Sequence, residues 1–502
     1  MTFNVYCLTV KGIYLELSSI PTSTATLQEL RSKLVEFKES GKFIACYGET
    51  YSQSAYYVAS VADKIWLNPE GMLDLHGMAS QIMFYKKMFD KLDVEMQIVR
   101  GPNNRFKSAV EPYFLDKMSE ANREQMDKLL GTLWGQILLG ISQTRNISVD
   151  KLNQIADNLE LMTDAQKALE CGLVDQLYYK DQVLAELKAL TGSKDKINAV
   201  NNTNYAKSYK IKNPSKNEVA IIYASGQIYD GKGNEDQGIY SEDLSKTIRK
   251  AREDKDVKAV VLRVNSPGGS ALASAIIGRE LDLTKEVKPV IVSMGNYAAS
   301  GGYWISAKGD YIFADPTTLT GSIGVFGTLP NMQGLLNNKI GLTFDVAKTN
   351  ENADFPSVTQ PLTEFQYAKL QENVVKTYNE FTQRVAEGRG LRQSYVDSIG
   401  QGRVWAGADA IEIGLVDQLG DLEDAIAFAV KKADLGNDYK VTELPKEKDF
   451  FTRIMESLNN TDELDAAMKQ KLGVYYNYLE GLGNLQKNTG IQARMPFDMI
   501  IE

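Results

Sequence analysis

The chain contains an internal duplication. When the sequence is shifted by 247 positions, residues 11–78 align without a gap with residues 258–325. The matched pairs include Gly48 with Gly295, Tyr56 with Tyr303 and Pro69 with Pro316. Self-similarity over this length indicates that one supersecondary unit occurs twice. The repeat therefore predicts two related domains.

Each copy alternates short apolar strands with amphipathic helices, which is typical of an α/β fold. Residues 258–264 and 289–294 have the continuous apolar character of buried parallel strands. Capping sequences at Ser119 and Thr363 predict long helices in both copies. The predicted organisation is an N-terminal domain at residues 1–197, a linker at 198–217, a C-terminal domain at 218–436 and a helical appendage at 437–502.

The first copy is expected to be truncated at its start. In the second copy, residues 218–223 form a predicted strand and residues 241–253 a predicted helix, and their counterparts would lie before residue 1. We expect an upstream extension to supply them, preceded by an apolar membrane anchor of about twenty residues.

Composition excludes several classes of function. The net charge of −9 and the isoelectric point near 5.1 argue against nucleic acid as a partner, since phosphate binding needs clustered basic residues. The scattered residues Cys7, Cys46 and Cys171 fit neither a zinc site nor a disulfide framework. The sequence itself has no apolar run of about 18 residues. We expect no cofactor and no metal.

Ser300 is a candidate nucleophile. It follows a predicted strand, has small neighbours and precedes Gly301 and Gly302. A serine at a strand-to-helix turn can meet a substrate while the first helical amides face a developing oxyanion. The alternative is a small-residue helix start selected for close packing. The first copy carries Gln53 at this position.

A second candidate element is the turn that contains Gly268 and Gly269. Paired glycines after a strand permit positive φ and expose backbone amides, which suits an oxyanion hole or an ordinary tight turn. The first copy has residues 20–22, Ile-Pro-Thr, near this place. The first copy lacks both the serine and the paired glycines. This joint absence favours the interpretation that the serine and the glycines of the second copy serve one function.

The general base has two candidate residue types. The chain's single histidine, His76, aligns with Ile323, which favours a partly buried structural role. A lysine could serve if burial lowered its pKa toward neutrality. The residue pattern alone does not select one lysine.

Several separated segments resemble the long form of the signal peptide peptidase A family, also called protease IV. They are residues 105–112, 265–269, 295–306, 320–325 and 492–496. The resemblance implies tandem ClpP/crotonase-like α/β domains. It also implies a Ser/Lys dyad, with Ser300 as the nucleophile, Lys107 as the general base and Ser322 orienting the lysine. Gly301, with Gly268 or Gly269, would supply the oxyanion amides.

Two further positions bear on this assignment. In the second copy, Asp354 lies near the position that would align with Lys107. The second half would therefore lack the lysine base and the first half the serine nucleophile, so that neither would be a complete site alone. Glu111 lies one turn beyond Lys107 if that segment is helical, and such a carboxylate would oppose deprotonation. We therefore expect the Glu111 carboxylate to point away from the lysine.

The predicted function is a serine endopeptidase that degrades cleaved signal peptides and other unfolded peptides. By resemblance, it would act at the inner membrane on the extracytoplasmic side, as a homo-oligomer, expected to be a tetramer. The alternatives are a crotonase-fold acyl-CoA enzyme, which would use carboxylates that the glycine-rich turns lack, and a catalytically silent membrane scaffold.

Overall fold

The computed structural model describes residues 10–208, 214–234, 237–445 and 490–495. Its strands in chain order are β1 Gly12–Glu16, β2 Phe43–Gly48, β3 Lys64–Leu67, β4 Glu95–Arg100, β5 Gln176–Leu177, β6 Glu218–Ser225, β7 Ile228–Tyr229, β8 Ile239–Tyr240, β9 Val257–Ser266, β10 Gly268–Ser270, β11 Val290–Ala299, β12 Tyr311–Ala314, β13 Leu319–Gly321, β14 Phe326–Asn331, β15 Val404–Ala406, β16 Gln418–Leu419, β17 Lys440–Leu444 and β18 Gly490–Arg494.

The α-helices divide between the two halves of the chain. Those of the first half are α1 Thr24–Lys38, α2 Gln53–Ala59, α3 Lys86–Leu92, α4 Glu111–Phe114, α5 Glu120–Arg145, α6 Val149–Asp157, α7 Ala165–Glu170, α8 Lys180–Thr191 and α9 Asn202–Ser208. Those of the second half are α10 Ser241–Glu253, α11 Ala271–Lys285, α12 Gly301–Ser306, α13 Glu364–Arg389, α14 Gln393–Ile399, α15 Gly407–Ala410 and α16 Leu422–Lys432.

Each half has a parallel sheet with a core of its own. The first-half sheet has the order β1-β2-β3-β5 with every pair parallel. The central pairs of the second-half sheet, β6 with β9 and β9 with β11, are also parallel. Separate clusters of buried apolar side chains lie on these sheets. Strands covered on both faces require continuous apolar sequence, which both copies supply.

A third sheet joins the two halves. Its order is β4-β14-β18-β10-β7-β8, so strand β4 of the first half pairs with strand β14 of the second. The pairing is antiparallel, from Phe326 opposite Arg100 to Asn331 opposite Glu95. This sheet brings the segment after β4 against the carboxyl ends of β11 and β13.

Several predicted helices are confirmed, and one predicted strand is longer than expected. Helix α10 begins and ends at the predicted residues, 241 and 253. Thr363 and Gln366 form a capping box at the start of α13, and Ser119 caps α5 through the amide of Asn122. Strand β11 runs to Ala299, beyond the predicted end at 294, because it pairs with β13 as well as with β9.

The C-terminal region is described only in part. Most of the predicted helical appendage lies outside the described residues, as does part of the predicted linker. The described portions contain β17, which extends the second-half sheet beside β6, and β18, which joins the third sheet. None of the helices in the described parts of the chain combines the length and apolar character that crossing a bilayer requires.

Candidate active site

Ser300 lies at the junction between β11 and α12. Its backbone has φ 55° and ψ −114°, a conformation that non-glycine residues rarely adopt. The Ser300 amide donates to the Gly321 carbonyl at 2.8 Å, and its carbonyl accepts from the Trp304 amide at 2.8 Å. Strained backbone held by its surroundings is typical of functional turns. The side chain is thereby held at the carboxyl end of the second-half sheet.

Lys107 reaches this serine from the other half of the chain. Its Nζ lies 2.9 Å from Ser300 Oγ, 2.9 Å from Ser322 Oγ and 3.1 Å from the Ser322 carbonyl oxygen. All three residues are completely buried. The structure thus brings together the three side chains that the resemblance implies. Lys107 and Ser300 are 193 residues apart along the chain.

The surroundings of Lys107 favour its neutral form. Desolvation by burial lowers the pKa of its amine well below the usual lysine range. The Glu111 carboxylate faces elsewhere, as expected, and accepts hydrogen bonds from the Ser119 hydroxyl and from Asn122 Nδ2 at 2.5 and 2.9 Å. A lysine without a neighbouring carboxylate can act as a base near neutral pH.

Backbone contacts fix the lysine segment against the second half. The Phe106 amide donates to the Gln401 carbonyl at 2.9 Å, and Asn104 Nδ2 donates to the Val325 carbonyl at 3.1 Å. Gly402 has φ 83°, and a Cβ there would lie 2.6 Å from the Lys107 Cα. Sequence reasoning missed Gly402. The only signal was a Gly-x-Gly sequence at residues 400–402, a pattern too common to be informative.

The glycine-rich turn lies beside the nucleophile. Gly268 has φ 98°, and a Cβ on it would lie 2.7 Å from the Gly301 amide nitrogen. The Gly268 amide donates to Ser266 Oγ at 3.1 Å. Gly269 lies in β10, opposite Ala493 of β18. The close approach of this turn to Gly301 requires that Gly268 have no side chain.

The equivalent place in the first half has no nucleophile. Gln53 Oε1 accepts from the amides of His76 and Gly77, each at 3.2 Å, and Gln53 and His76 line a cavity of about 480 Å³. His76 lies at the surface, where 46% of its side chain is exposed. Its Nδ1 contacts Asp74 Oδ1 at 2.5 Å. His76 therefore lies in an exposed loop and is not part of the core.

Comparison with known proteins identifies the family of this chain. The family model described as peptidase family S49 matches residues 36–194 and 282–436, one region in each half. A duplicated α/β fold with a buried serine and lysine in contact, matched in both halves by a peptidase model, defines a serine peptidase. The chain belongs to peptidase family S49.

Individual relatives cover most of the chain. Protease 4 of Salmonella typhi is 40% identical over 85% of this chain and 70% of its own length. The chloroplastic serine protease SPPA of Arabidopsis thaliana is 31% identical over 97% of this chain and 71% of its own. A solved structure of a ClpP1 point mutant from Listeria monocytogenes aligns with 42% of this chain and 95% of its own, at 16% identity and a TM-score of 0.28. The family assignment depends on the first two relatives and on the family model.

Proposed function

We propose that this serine peptidase uses Ser300 as its nucleophile and Lys107 as its general base. The observation that carries the proposal is the 2.9 Å contact between Lys107 Nζ and Ser300 Oγ. Among the described residues, no carboxylate forms an ion pair with this lysine, and burial lowers its pKa. A neutral amine can accept the serine proton during attack on a peptide carbonyl and later protonate the leaving amine.

Ser322 is proposed to orient the amine. A neutral lysine has two N–H groups and one lone pair. If the two hydrogens are donated to Ser322 Oγ and to the Ser322 carbonyl, at 2.9 and 3.1 Å, the lone pair is left for the Ser300 hydroxyl. Ser322 thereby directs the lone pair of Lys107 toward the Ser300 proton, and it does so as a neutral side chain that adds no charge to the site.

The proposed oxyanion site combines the amide of Gly301 with an amide of the glycine-rich turn. Gly301 directly follows the nucleophile and begins α12, where helix amides are unpaired. In the turn, the Gly268 amide donates to Ser266 Oγ, and Gly269 pairs with Ala493 of β18. The second donor is proposed to be the amide of Gly268 or of Gly269.

The proposed substrates are cleaved signal peptides and other unfolded peptides at the membrane. Unfolded peptides have unpaired main-chain groups, and recognition through main-chain hydrogen bonds tolerates varied sequences. By resemblance to the family, we further propose an inner-membrane location with the catalytic halves on the extracytoplasmic side, and assembly into a homo-oligomer, expected to be a tetramer.

The test uses hydrolysis of a fluorogenic unfolded peptide by the purified chain. Ser300→Ala and Lys107→Ala should each lower kcat by about a thousandfold or more, since dyad members act as a unit. His76→Gln is the matched control and should retain activity within about twofold. An active Lys107→Ala enzyme beside an inactive His76→Gln enzyme would contradict the dyad.

A further inference from the structure

The side chain of Arg403 contacts an aromatic ring from each half of the chain. Its Cζ atom is 4.6 Å from the centre of the Phe106 ring and 4.5 Å from the centre of the Trp405 ring. Phe106 directly precedes Lys107 in the first half, and Trp405 lies in β15 of the second. A guanidinium within about 6 Å of an aromatic ring is attracted to its face. These contacts therefore join the lysine segment to β15.

The main chain of Arg403 contacts the other side of the site. Its carbonyl accepts from the Ser322 amide at 2.7 Å, and its amide donates to the Gly400 carbonyl at 2.9 Å. Ser322 Oγ in turn lies 2.9 Å from Lys107 Nζ. The side chain of Arg403 thus contacts the residue before the proposed base, and its main chain contacts the residue that is proposed to orient that base.

A carboxylate fixes the direction of this guanidinium. Arg403 Nη1 lies 3.1 Å from Glu124 Oε1, and Arg105 Nη2 lies 3.1 Å from the other oxygen of the same carboxylate. Arg105 also lies over the Phe106 ring, at 5.0 Å, but its side chain is 63% exposed, whereas that of Arg403 is 18% exposed. A planar guanidinium can donate hydrogen bonds at its edge while its face packs on aromatic rings. Arg403 makes both kinds of contact in a largely covered place.

The first half shows that the fold does not require an arginine at this position. The closing segments of the two copies, residues 168–177 and 410–419, match in sequence, and α7 and α15 begin at the same distance before them. At this alignment Leu161 corresponds to Arg403. Leu161 is 2% exposed and belongs to the core of the first half, which carries Gln53 in place of the nucleophile. The arginine therefore occurs in the copy that contains the proposed nucleophile.

We propose that Arg403 is a positioning residue that holds Phe106 against Trp405. This inference rests on the proposed function. Because Phe106 directly precedes Lys107, the contact fixes the lysine segment and keeps the amine within reach of Ser300. Arg403 acts through its neighbour and does not touch the reacting atoms. A displacement of the amine by a fraction of an ångström would slow the transfer of the serine proton.

Arg403→Leu tests the proposal, because it introduces the residue of the first copy. In hydrolysis of the fluorogenic peptide, kcat should fall by about tenfold or more. KM should stay within about twofold, since the glycine-rich turn is unchanged. Phe106→Leu should have a similar effect, and the double variant should lose little more than either single variant, because both changes break the same contact. A parent kcat in Arg403→Leu, or losses that multiply in the double variant, would overturn the proposal.

The pH profile distinguishes positioning from general damage to the fold. Lys107 is completely buried, so a loosened segment would admit water and move its pKa toward the ordinary lysine range. The acid limb of kcat/KM should therefore shift to higher pH in Arg403→Leu. Of the carboxylates on the adjoining elements, Glu111 accepts hydrogen bonds from the start of α5, and Glu124 pairs with the two arginines. A lower kcat with an unshifted limb would show that the amine kept its place, which contradicts the proposal.

Arg105→Leu is the matched control. Arg105 shares the Phe106 ring and the Glu124 carboxylate with Arg403, but the contacts to Trp405 and Ser322 belong to Arg403. This variant should keep kcat within about twofold of the parent. An equal loss in the two arginine variants would overturn a specific role for Arg403.

The same assays separate this inference from the proposed function. An inactive Lys107→Ala enzyme beside an Arg403→Leu enzyme with parent kcat leaves the dyad standing and overturns the positioning role. An active Lys107→Ala enzyme overturns the dyad itself. Loss of activity in Lys107→Ala, together with a lowered kcat and a shifted acid limb in Arg403→Leu, supports both.

Discussion

Lys107 is unusual at the scale of single residues because it is buried and its hydrogen-bond partners in the described part of the chain are hydroxyl and carbonyl groups. Removing an ammonium group from water carries a large free-energy cost unless a carboxylate compensates for it. Here the partners are Ser300 and Ser322, so the neutral amine is favoured and the pKa of Lys107 falls well below its ordinary range. Burial without a counter-charge is thus the physical source of the base.

The first prediction at this scale concerns pH. Since the proposed base works only as a neutral amine, kcat/KM should rise with pH through the lowered pKa of Lys107 and stay high above it. Activity should be lost as pH falls through that value, because protonation removes the lone pair. Steady-state kinetics across the pH range would measure the profile. A rate that climbs only in the range of ordinary lysine would contradict it.

The second prediction concerns Ser322→Ala. This change removes one hydrogen bond that orients the amine, worth about 1–3 kcal/mol, so kcat should fall roughly ten- to a hundredfold. The loss should be smaller than that of either dyad change. Ser245→Ala is a suitable control, because the Ser245 hydroxyl is also buried but has no hydrogen-bond partner among the described residues. Equal rates for the two variants would remove Ser322 from the site.

At the scale of elements, the decisive feature is the contact between the lysine segment and the loop that precedes β15. The Gly402 amide donates to the Ile323 carbonyl at 2.7 Å, and the Ser322 amide donates to the Arg403 carbonyl at 2.7 Å. Gln125 of α5 accepts from the Val404 amide at 2.8 Å. These bonds place the loop between Lys107 and the second-half sheet.

Gly402→Ala tests this contact. A methyl group at Gly402 would overlap the backbone of Lys107 and would add strain at a positive φ. We expect kcat to fall by about tenfold or more as the amine is displaced by a fraction of an ångström. Gly436→Ala is the control, since Gly436 also has positive φ but lies in open space. If both variants have parent kcat, the loop does not position the lysine.

Sequence patterns predicted elements better than they predicted contacts between elements. The bounds of α10 and the capping box at Thr363 follow from local preferences, which act over one or two helical turns. The end of β11 at Ala299 and the role of Gly402 depend on neighbours distant in sequence. No local pattern carries that information.

At the scale of the whole molecule, α1 of the first half packs on the second half through polar contacts. Glu29 Oε1 accepts from Arg263 at 2.6 Å, and Gln28 Oε1 accepts from the Thr317 hydroxyl at 2.7 Å. Thr26 Oγ1 donates to Asn296 at 2.9 Å. Because the dyad is divided between the halves, these contacts help to hold the base and the nucleophile in place.

Glu29→Ala is therefore expected to lower both stability and activity. Arg263 is mostly buried, and without Glu29 it keeps hydrogen bonds to Ser293 and to the Met294 carbonyl, with the Asp315 carboxyl group as the nearby acidic side chain. We expect a loss of about 1–3 kcal/mol in the free energy of unfolding, measured with urea. Glu36→Ala, an exposed position on the same helix, should cost less than about 0.5 kcal/mol. Equal values for the two variants would show that the Glu29 contact does not stabilise the assembly.

The sequence by itself determined the duplication, the α/β class and the loss of a nucleophile at Gln53, because periodicity, capping and alignment of the two copies are local or internal properties. Family resemblance was needed to choose Lys107 among the lysines, since a pKa depends on burial and partners that only the fold assigns. The tertiary structure alone decided that Lys107 meets Ser300 across the halves, and that β18 lies beside the glycine-rich turn. Pairing between segments so distant along the chain depends on the complete packing of both halves and leaves no periodic signal in either segment.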